Sequence, residues 1–463
     1  MSQLRRQLST RHLSMIALGG TLGTGIFLTS GSALYIAGPI SAIIAYLIMG
    51  FMVYLLMNSL GEMSAYKPVS GSFCEYASEY VSKPFGFAMG YNYWFNWSIT
   101  VAVELIASAL VMGFWYPGVP PIEWCILFFV GILILNILSV KSYGETQYWL
   151  SLVKVAAILV FIVVGVFIIL GFNTEHQVID FRNWHQGHFH NGISGLLEVF
   201  LLSGFAFQGT ELIGVAAGEA KDPQKSIPRA VKQIFWRILL FYVVIMLIIS
   251  LIIPYTDPRL LNANNTVALS PFTIIFSMMG FHYMTGIMNF VILAALLSAC
   301  NSDLYSSTRI LWHLAQKGSA PKLFAKVSRA GIPVYALMAT ASFGLLAFLC
   351  DYFGSTQVFL ILVNISSLAG FVAWYGIARS HIGFRKHYLR AGHKLEDLPF
   401  QSHFYPWGPI IAMVLSLIVM LGQWYVLLID GQMTWSAFIA MYIGLPMVGL
   451  LWLGNKLWRG MMR

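Results

Sequence analysis

Long, continuous apolar runs fill most of the sequence and restrict the folds that are open to it. Lipid offers no hydrogen-bond partners to a backbone, so a spanning helix needs ~20 mostly apolar residues that satisfy their own amides and carbonyls. Of the 463 residues, 58% are hydrophobic and 10% are charged, which is more apolar surface than a water-soluble domain can bury. The sequence therefore predicts an all-α integral membrane protein.

Twelve runs are long enough to predict transmembrane helices, and we number these spans in chain order. They cover residues 13–36, 40–63, 85–115, 122–140, 149–172, 192–218, 230–253, 283–315, 333–350, 358–381, 407–429 and 436–455. Segment 70–85, SGSFCEYASEYVSKPF, is too polar to span and predicts an amphipathic helix on the membrane surface. Residues 1–12 and 456–463 are expected to form cytoplasmic N- and C-terminal tails.

The basic residues predict the orientation of the spans. Of the 27 Lys and Arg, only Arg182 and Arg259 are counted on the side opposite the N-terminus, and only Lys154 is counted within a span. The positive-inside rule then places both termini in the cytoplasm of a multi-pass protein, which we expect in the plasma (inner) membrane of a bacterium. Because the basic residues are spread over cytoplasmic loops, the net charge of +9 requires no nucleic-acid partner. The start, MSQLRRQLSTRH, shows no cleavable signal.

Neither a metal nor a cofactor is predicted. The four cysteines lack the paired spacing of disulfides or zinc sites. Three histidines between the fifth and sixth spans lack carboxylate or cysteine partners and are expected to be solvated; they are His185, His188 and His190.

Two spans are interrupted by glycine-rich segments. The first span contains IALGGTLGTGIFLTSG at residues 16–31, and the sixth contains LLSGFAFQGTELIG at 201–214. Two interrupted spans that lie five spans apart are typical of transporters built from inverted repeats. We therefore expect a 5+5 inverted repeat with discontinuous first and sixth helices, residues 13–172 and 192–381. Two additional C-terminal helices, within residues 407–455, would lie outside it.

An unwound membrane segment survives only where it lines a polar cavity, since a freed backbone group costs several kcal/mol in lipid. A zwitterionic amino acid matches such a cavity, because half-helix ends present amides to its carboxylate and carbonyls to its ammonium. Close helix packing through Gly19 and Gly23 is the alternative for the first span. A nucleotide-binding loop is discounted, because no strand precedes the glycines.

At these residues the sequence resembles amino acid permeases of the amino acid, polyamine and organocation superfamily. The resemblance rests on RHLSMIALGGTLGTGIFLTSG, GEMSAYKPVSGSFCEYASEYV, GFAFQGTELIGVAAGEAKDPQKSIPRAV and LSACNSDLYSSTRILWHLA, and it covers nearly the whole chain. Segments such as YWLSLVKVAAILVFIVVGV and PWGPIIAMVLSLIVMLGQWY are most similar to the bacterial lysine-specific branch.

The resemblance implies a substrate site at the two breaks. Amides of the first break would hold the substrate carboxylate, at Thr21, Leu22, Gly23, Thr24 and Gly25, with carbonyls for the ammonium at Ile16 and Ala17. The break in the sixth span matches Gly204, Phe205, Ala206 and Phe207, with Phe205 as the aromatic gate. Side chains that line the pocket in the lysine branch match Tyr93 and Trp97.

Ionisable residues inside a bilayer usually face a cavity, a partner or a pathway. Lys154 either snorkels to the cytoplasm or acts as a proton switch. By resemblance, its ammonium stands where sodium-coupled relatives bind a sodium ion, which favours coupling to protons rather than to sodium. Glu211 lies one turn beyond the second break, where it would pair with a cationic side chain or, like Glu104, brace helices.

The sequence contains two further acidic residues in or beside the spans. Glu219 lies at the cytoplasmic end before KDPQKSIP and is expected to form an ion pair at the inner gate. Asp303 interrupts the eighth span where many relatives carry a small or neutral residue; facing the pocket, pairing with Arg309 and reaching the cytoplasmic water are all open to it, and we assign it no role.

The predicted function is import of a cationic amino acid, L-lysine above all, with protons by alternating access. An exchanger without proton coupling, a permease for another amino acid and a non-transporting receptor are the alternatives. We find no nucleophile with a base and no acidic pair with metal spacing, so we do not expect an enzyme. The expected partners are the amino acid, protons and the lipid bilayer, and the sequence does not specify an oligomeric state.

Overall fold

The structure is a computed structural model, and the residues it describes are 22–69, 71–138, 143–171, 184, 189–217, 222–260, 269–278, 280, 282–328, 331–429, 438 and 441–461. In this part of the chain, all the regular elements are helical. Nine of these helices are long and apolar enough to cross a membrane. The prediction of an all-helical, multi-span membrane protein is therefore confirmed.

The first two spans are joined in one long element, the helix Thr29–Tyr66, which bends sharply at Gly38. Gly38 has φ 75° and ψ 175°, a conformation that glycine adopts without a Cβ clash. Pro39 follows at a position where its missing amide is not needed, because a new helix begins there. The bend separates the predicted spans 13–36 and 40–63.

Helices also lie at the other predicted spans, but those at the fourth and twelfth are not among the nine that are long and apolar enough to cross a membrane, so the count of twelve spans stays a prediction. From the third span to the twelfth they are Lys83–Met112, Pro121–Leu138, Tyr143–Ile169, Gly192–Phe207 with Leu212–Ala216, Pro223–Ile252, His282–Gln316, Val334–Phe353, Ser355–Arg390, Trp407–Ile429 and Gly444–Met461. A short helix, Pro271–Met278, precedes the eighth span. The seventh span includes a π-helical turn at Leu239–Val243, and the ninth includes a 3-10 segment at Ser342–Leu349.

The third span is the central helix of the bundle. Its middle is almost entirely buried, and it packs against the eighth and tenth spans. The second span packs against the sixth, whereas much of the fifth faces outward. The breaks and the buried ionisable residues described below are arranged around the third span.

The segment predicted to be an amphipathic helix on the membrane surface is helical at Ser72–Tyr80, and its place on a membrane surface stays a prediction. Its apolar face is covered by protein, because it packs against the third and tenth spans. A Cβ on Gly86 would fall 2.5 Å from Ser78, and one on Gly383 would fall 2.2 Å from the Tyr80 carbonyl oxygen. This helix therefore forms part of one end of the bundle, which we call the basic end and define as residues 67–83, 316–328 and 385–406.

Candidate substrate site

The first span is interrupted where the described chain begins. Leu22 and Gly23 are not helical, and Gly23 is extended with φ −146° and ψ −146°. One turn follows at Thr24–Phe27, and the backbone leaves helical geometry again at Leu28. The amides of Ile26 and Phe27 both donate to the Gly23 carbonyl at 3.3 Å. The amides before them therefore lie at the start of a helical turn, where partial positive charge favours an anion.

The sixth span is interrupted at the same depth. Its helix ends at Phe207, the chain turns through Gly209 with φ 86°, and the helix resumes at Leu212. The prediction of a break at residues 204–207 is therefore wrong by about one turn, because these residues still complete the helix and the unwound segment is 208–211. The two spans touch beside their breaks, because a Cβ on Gly25 would fall 2.3 Å from the Cα of Ala206. Only glycine permits that approach. The structure thus brings the two glycine-rich segments of the sequence into direct contact.

Glu211 lies immediately beyond the second break and is buried. Its carboxylate accepts from the Gly209 amide at 3.3 Å, from the Tyr93 hydroxyl at 3.4 Å and from Trp374 Nε1 at 3.3 Å. The Tyr93 ring meets Trp97 edge-on, with centroids 5.8 Å apart. These three long hydrogen bonds leave the carboxylate oxygens able to accept from a further donor.

Tyr93 is also covered from the basic end. Phe73, on the helix Ser72–Tyr80, packs edge-on against it with centroids 4.6 Å apart. The aromatic side chains of this region therefore separate Glu211 from the basic end.

A second buried group surrounds the first break. The Thr24 hydroxyl donates to Glu104 at 2.7 Å, and the Thr24 amide interacts with the same carboxylate. Lys154 on the fifth span is 2% exposed and lies within electrostatic range of Glu104 and Asp303. A Cβ on Gly23 would fall 3.2 Å from a Glu104 oxygen. Two carboxylates and one ammonium group thus share a dry region beside the break.

An amide network fixes the second break to its neighbours. Asn96 donates to the Gln208 side chain at 2.9 Å, and Gln208 donates to the Ser366 carbonyl at 3.1 Å. The Ser366 hydroxyl donates to Asn96 at 2.7 Å and bonds Thr100 at 2.9 Å. The third and tenth spans therefore hold the first residue after the sixth-span helix.

The predicted site residues fall into several groups. Tyr93, Trp97 and Glu211 lie together, as do Glu104 and Lys154 with the first break. Phe205 is buried in the last helical turn before the sixth-span break. The predicted residues Ile16, Ala17, Thr21 and Glu219 lie outside the described residues, as do His185 and His188.

Two predicted residues occupy helix interfaces. The Phe207 ring lies 4.2 Å from that of Tyr242 and 6.1 Å from that of Tyr46. A Cβ on Gly204 would fall 2.6 Å from Phe371. His190, predicted to be solvated, is exposed and lies beside the Tyr255 ring, with centroids 5.1 Å apart.

Two residues of the site, Arg237 and Trp374, were not predicted from the sequence. Arg237 was counted with the cytoplasmic loops, but it is 1% exposed and donates to the Thr210 hydroxyl at 2.7 Å. Its charge also acts on Glu211. The signal was its position within the predicted seventh span. Trp374 carried no signal, because an isolated Trp in an apolar run does not reveal which residue its N–H reaches.

The family profile described as amino acid permease matches residues 12–462. The chain belongs to the amino acid permease family. This permease is a transporter and not an enzyme. It is 51% identical to the lysine-specific permease LysP of Escherichia coli (strain K12), over 99% of this chain and 94% of that one. The histidine permease HisP of Lactococcus lactis subsp. cremoris (strain MG1363) is 46% identical, over 98% and 95%.

Solved structures support the fold of the permease. The crystal structure of a mutant manganese transporter of Eremococcus coleocola superposes with a TM-score of 0.62. The match covers 97% of this chain and 93% of that one at 14% identity, so the likeness concerns the fold alone.

Proposed function

We propose that the permease imports L-lysine together with protons by alternating access. The observation that carries the substrate assignment is the buried Glu211 carboxylate beside the sixth-span break, held by three long hydrogen bonds. A cationic side chain entering from the break would find an acceptor there. The identity of 51% to the lysine-specific permease of Escherichia coli supports the same substrate.

The backbone of the substrate would be held by the breaks. Amides of Leu22, Gly23 and Gly25 would bind its carboxylate, together with Thr21 and Thr24, and the Ile16 and Ala17 carbonyls would bind its ammonium. Gly204 and Phe205 would close the opposite wall, with Phe207 supporting it from the interface. Thr24 links this site to Glu104, because its hydroxyl already donates to that carboxylate.

Proton coupling would act through Lys154. Its ammonium is buried within range of two acidic groups, Glu104 and Asp303, so its protonation depends on how closely Glu104 approaches. Movement of the first break would shift Thr24 and with it Glu104. Lysine binding and proton binding would then be linked through one hydrogen bond.

Alternating access would require opening of the basic end, which the positive-inside rule assigns to the cytoplasm of a bacterial inner membrane. Glu62 on the second span accepts from Arg385 on the tenth at 2.5 Å and 2.6 Å. Glu75 pairs with Lys317 at 2.9 Å. These contacts, with Glu219 at the inner gate, would separate as the repeats 13–172 and 192–381 rock.

Reconstituted vesicles test the proposal. We expect accumulation of labelled lysine in empty vesicles under an inward proton gradient, abolished by a protonophore. Uptake only into vesicles preloaded with amino acid would instead show an exchanger, and binding without flux would show a receptor. Competition by unlabelled lysine, arginine, histidine and neutral amino acids decides the substrate, and stronger competition by histidine than by lysine would refute the lysine assignment.

A further inference from the structure

Asp303 on the eighth span is a buried carboxylate that the mechanism above does not use. It is 4% exposed, and among the described residues its Oδ2 atom has no hydrogen-bond partner. The neighbouring Ser307 hydroxyl donates to the Asp303 backbone carbonyl and not to its side chain. A buried carboxylate oxygen without a donor is uncommon, because desolvation of the charge is then uncompensated.

The charged groups that face Asp303 come from two other spans. Lys154 on the fifth span and Glu104 on the third both interact with it electrostatically, and Cys300 lies on its own helix. With all three ionised, two carboxylates and one ammonium group would leave a net negative charge in a dry region. One additional proton makes the group neutral, which low-dielectric surroundings favour.

The hydrogen bonds indicate which carboxylate holds that proton. Glu104 accepts from the Thr24 hydroxyl at 2.7 Å and also interacts with the Thr24 amide, and both donors stabilise a charged carboxylate. The Asp303 Oδ2 atom lacks such a donor in the described chain. The proton therefore belongs on Asp303 rather than on Glu104.

The helix directions place Asp303 toward the basic end. Gln147 on the fifth span donates to the Ser298 carbonyl at 3.2 Å and to the Ser302 hydroxyl at 2.6 Å, which fixes the register of two spans predicted to run in opposite directions. Lys154 lies seven residues beyond Gln147, about 10 Å farther from the basic end. Side chains lean toward the start of their own helix, so those of Lys154 and Asp303 lean toward each other.

Further unpaired polar atoms lie near this pair. In the described part of the chain, the hydroxyls of Ser151 and Thr308 are buried without hydrogen-bond partners. Ser151 lies about one turn from Lys154 on the side of the basic end, and Thr308 lies more than one turn beyond Asp303 in the same direction. Ser151 provides a hydrogen-bonding position between Lys154 and the basic end, whereas Thr308 lies about 140° around its helix from Asp303.

We propose that Asp303 is a second proton-binding group of the transport cycle, which accepts the proton of Lys154 on its way to the basic end. The protonated Asp303 first releases its proton to water at the basic end, which leaves a carboxylate. The N–H bond of the Lys154 ammonium then breaks as the ammonium approaches Oδ2, its electron pair stays on Nζ, and an O–H bond forms at Oδ2. A neutral amine and a neutral acid result, so one proton has left the group for the basic end. The inference rests on the proposed proton symport.

The test compares wild-type protein, Asp303→Asn, Asp303→Glu and the control Ser307→Ala in proteoliposomes. Three quantities are measured: lysine accumulation driven by a proton gradient, lysine counterflow at equal pH, and protons moved per lysine with an internal pH dye. For Asp303→Asn we expect accumulation and proton movement to fall at least tenfold, while counterflow stays within threefold. Asp303→Glu should recover both, and Ser307→Ala should match the wild type.

The possible outcomes distinguish the role of Asp303 from the proposed proton symport itself. Normal accumulation and normal proton movement in Asp303→Asn would overturn the role of Asp303 and leave the symport intact. Equal loss of counterflow and accumulation would also overturn it, since packing would then explain both. Wild-type protein that exchanges lysine but accumulates none would refute the symport itself, whatever the variants do.

Discussion

Gly25 and Ala206 join the two interrupted spans, with so little space between them that a Cβ on Gly25 would fall 2.3 Å from the Ala206 Cα. The added Cβ would overlap a backbone atom rather than a flexible side chain, so the overlap could be removed only if the backbone of one span moved. The glycine at this position is therefore a requirement of the site geometry.

Gly25→Ala tests this contact. We expect lysine uptake to fall more than tenfold and the protein to lose about 1–3 kcal/mol of stability, because overpacking against backbone displaces the breaks. Initial uptake rates and thermal unfolding in detergent measure both effects. Gly131→Ala is the matched control, since Gly131 is helical and has no atom within 4 Å of an added Cβ. Equal effects of both variants would contradict the expectation.

Glu211→Gln tests the substrate assignment. The amide keeps the size of the side chain and removes the charge, so lysine should compete at least tenfold less well, whereas neutral amino acids should compete as before. Inhibition constants from a competition panel measure this. Trp374→Phe is the companion variant, because it removes one donor to Glu211 and keeps the charge. Unchanged discrimination in Glu211→Gln would show that Glu211 only braces the helices.

Lys154→Ala tests proton coupling. The variant removes the buried ammonium beside Glu104, so proton-driven accumulation should disappear while lysine counterflow persists. Flux in proteoliposomes, with and without the proton gradient, separates the two. Accumulation that survives the substitution would exclude Lys154 as the proton switch.

Glu62→Gln tests the buried contact between the second and tenth spans. Glu62 is fully buried. Its carboxylate accepts hydrogen bonds from the Arg385 guanidinium and, at 2.7 Å, from the Ser402 amide. Removing its charge leaves the guanidinium unpaired, which should cost about 3–5 kcal/mol of stability. Glu79→Gln breaks the exposed pair with Lys67 and should cost at most about 1 kcal/mol. Similar unfolding temperatures for the two variants would contradict the expected ranking.

The pH dependence of the Glu75 contact has a defined sign. The hydrogen bond from His313, aided by Lys317, lowers the pKa of Glu75 to about 2. A lowered pKa stabilises the folded protein above the unfolded value, about 4.3, and that contribution is lost as the pH falls from there through about 2. Glu75→Gln should therefore lower the unfolding temperature at pH 7 and have less effect near pH 3. An equal effect at both pH values would argue against this ionisation.

Part of the site could be predicted from sequence because its elements are local. The glycine-rich segments at 16–31 and 201–214 identify the two breaks, since glycine runs in apolar segments need no partner to be recognised. Lys154 and Glu211 stand out because ionisable residues are rare inside membranes. Arg237 also lies inside a predicted span, but its partner Thr210 could not be deduced in this way, because that contact depends on how the sixth and seventh spans pack.

The sequence by itself determined a helical membrane protein, because lipid requires every backbone group to be paired within its own segment. It also determined that two spans are interrupted, because glycine-rich segments stand inside them. Only the tertiary structure decided which residues meet. It brought Gly25 to Ala206, Trp374 to Glu211, and Asp303 into range of Lys154 and Glu104. Those contacts join residues far apart in the chain and depend on helix rotation and register, which apolar periodicity in a lipid-exposed bundle does not specify.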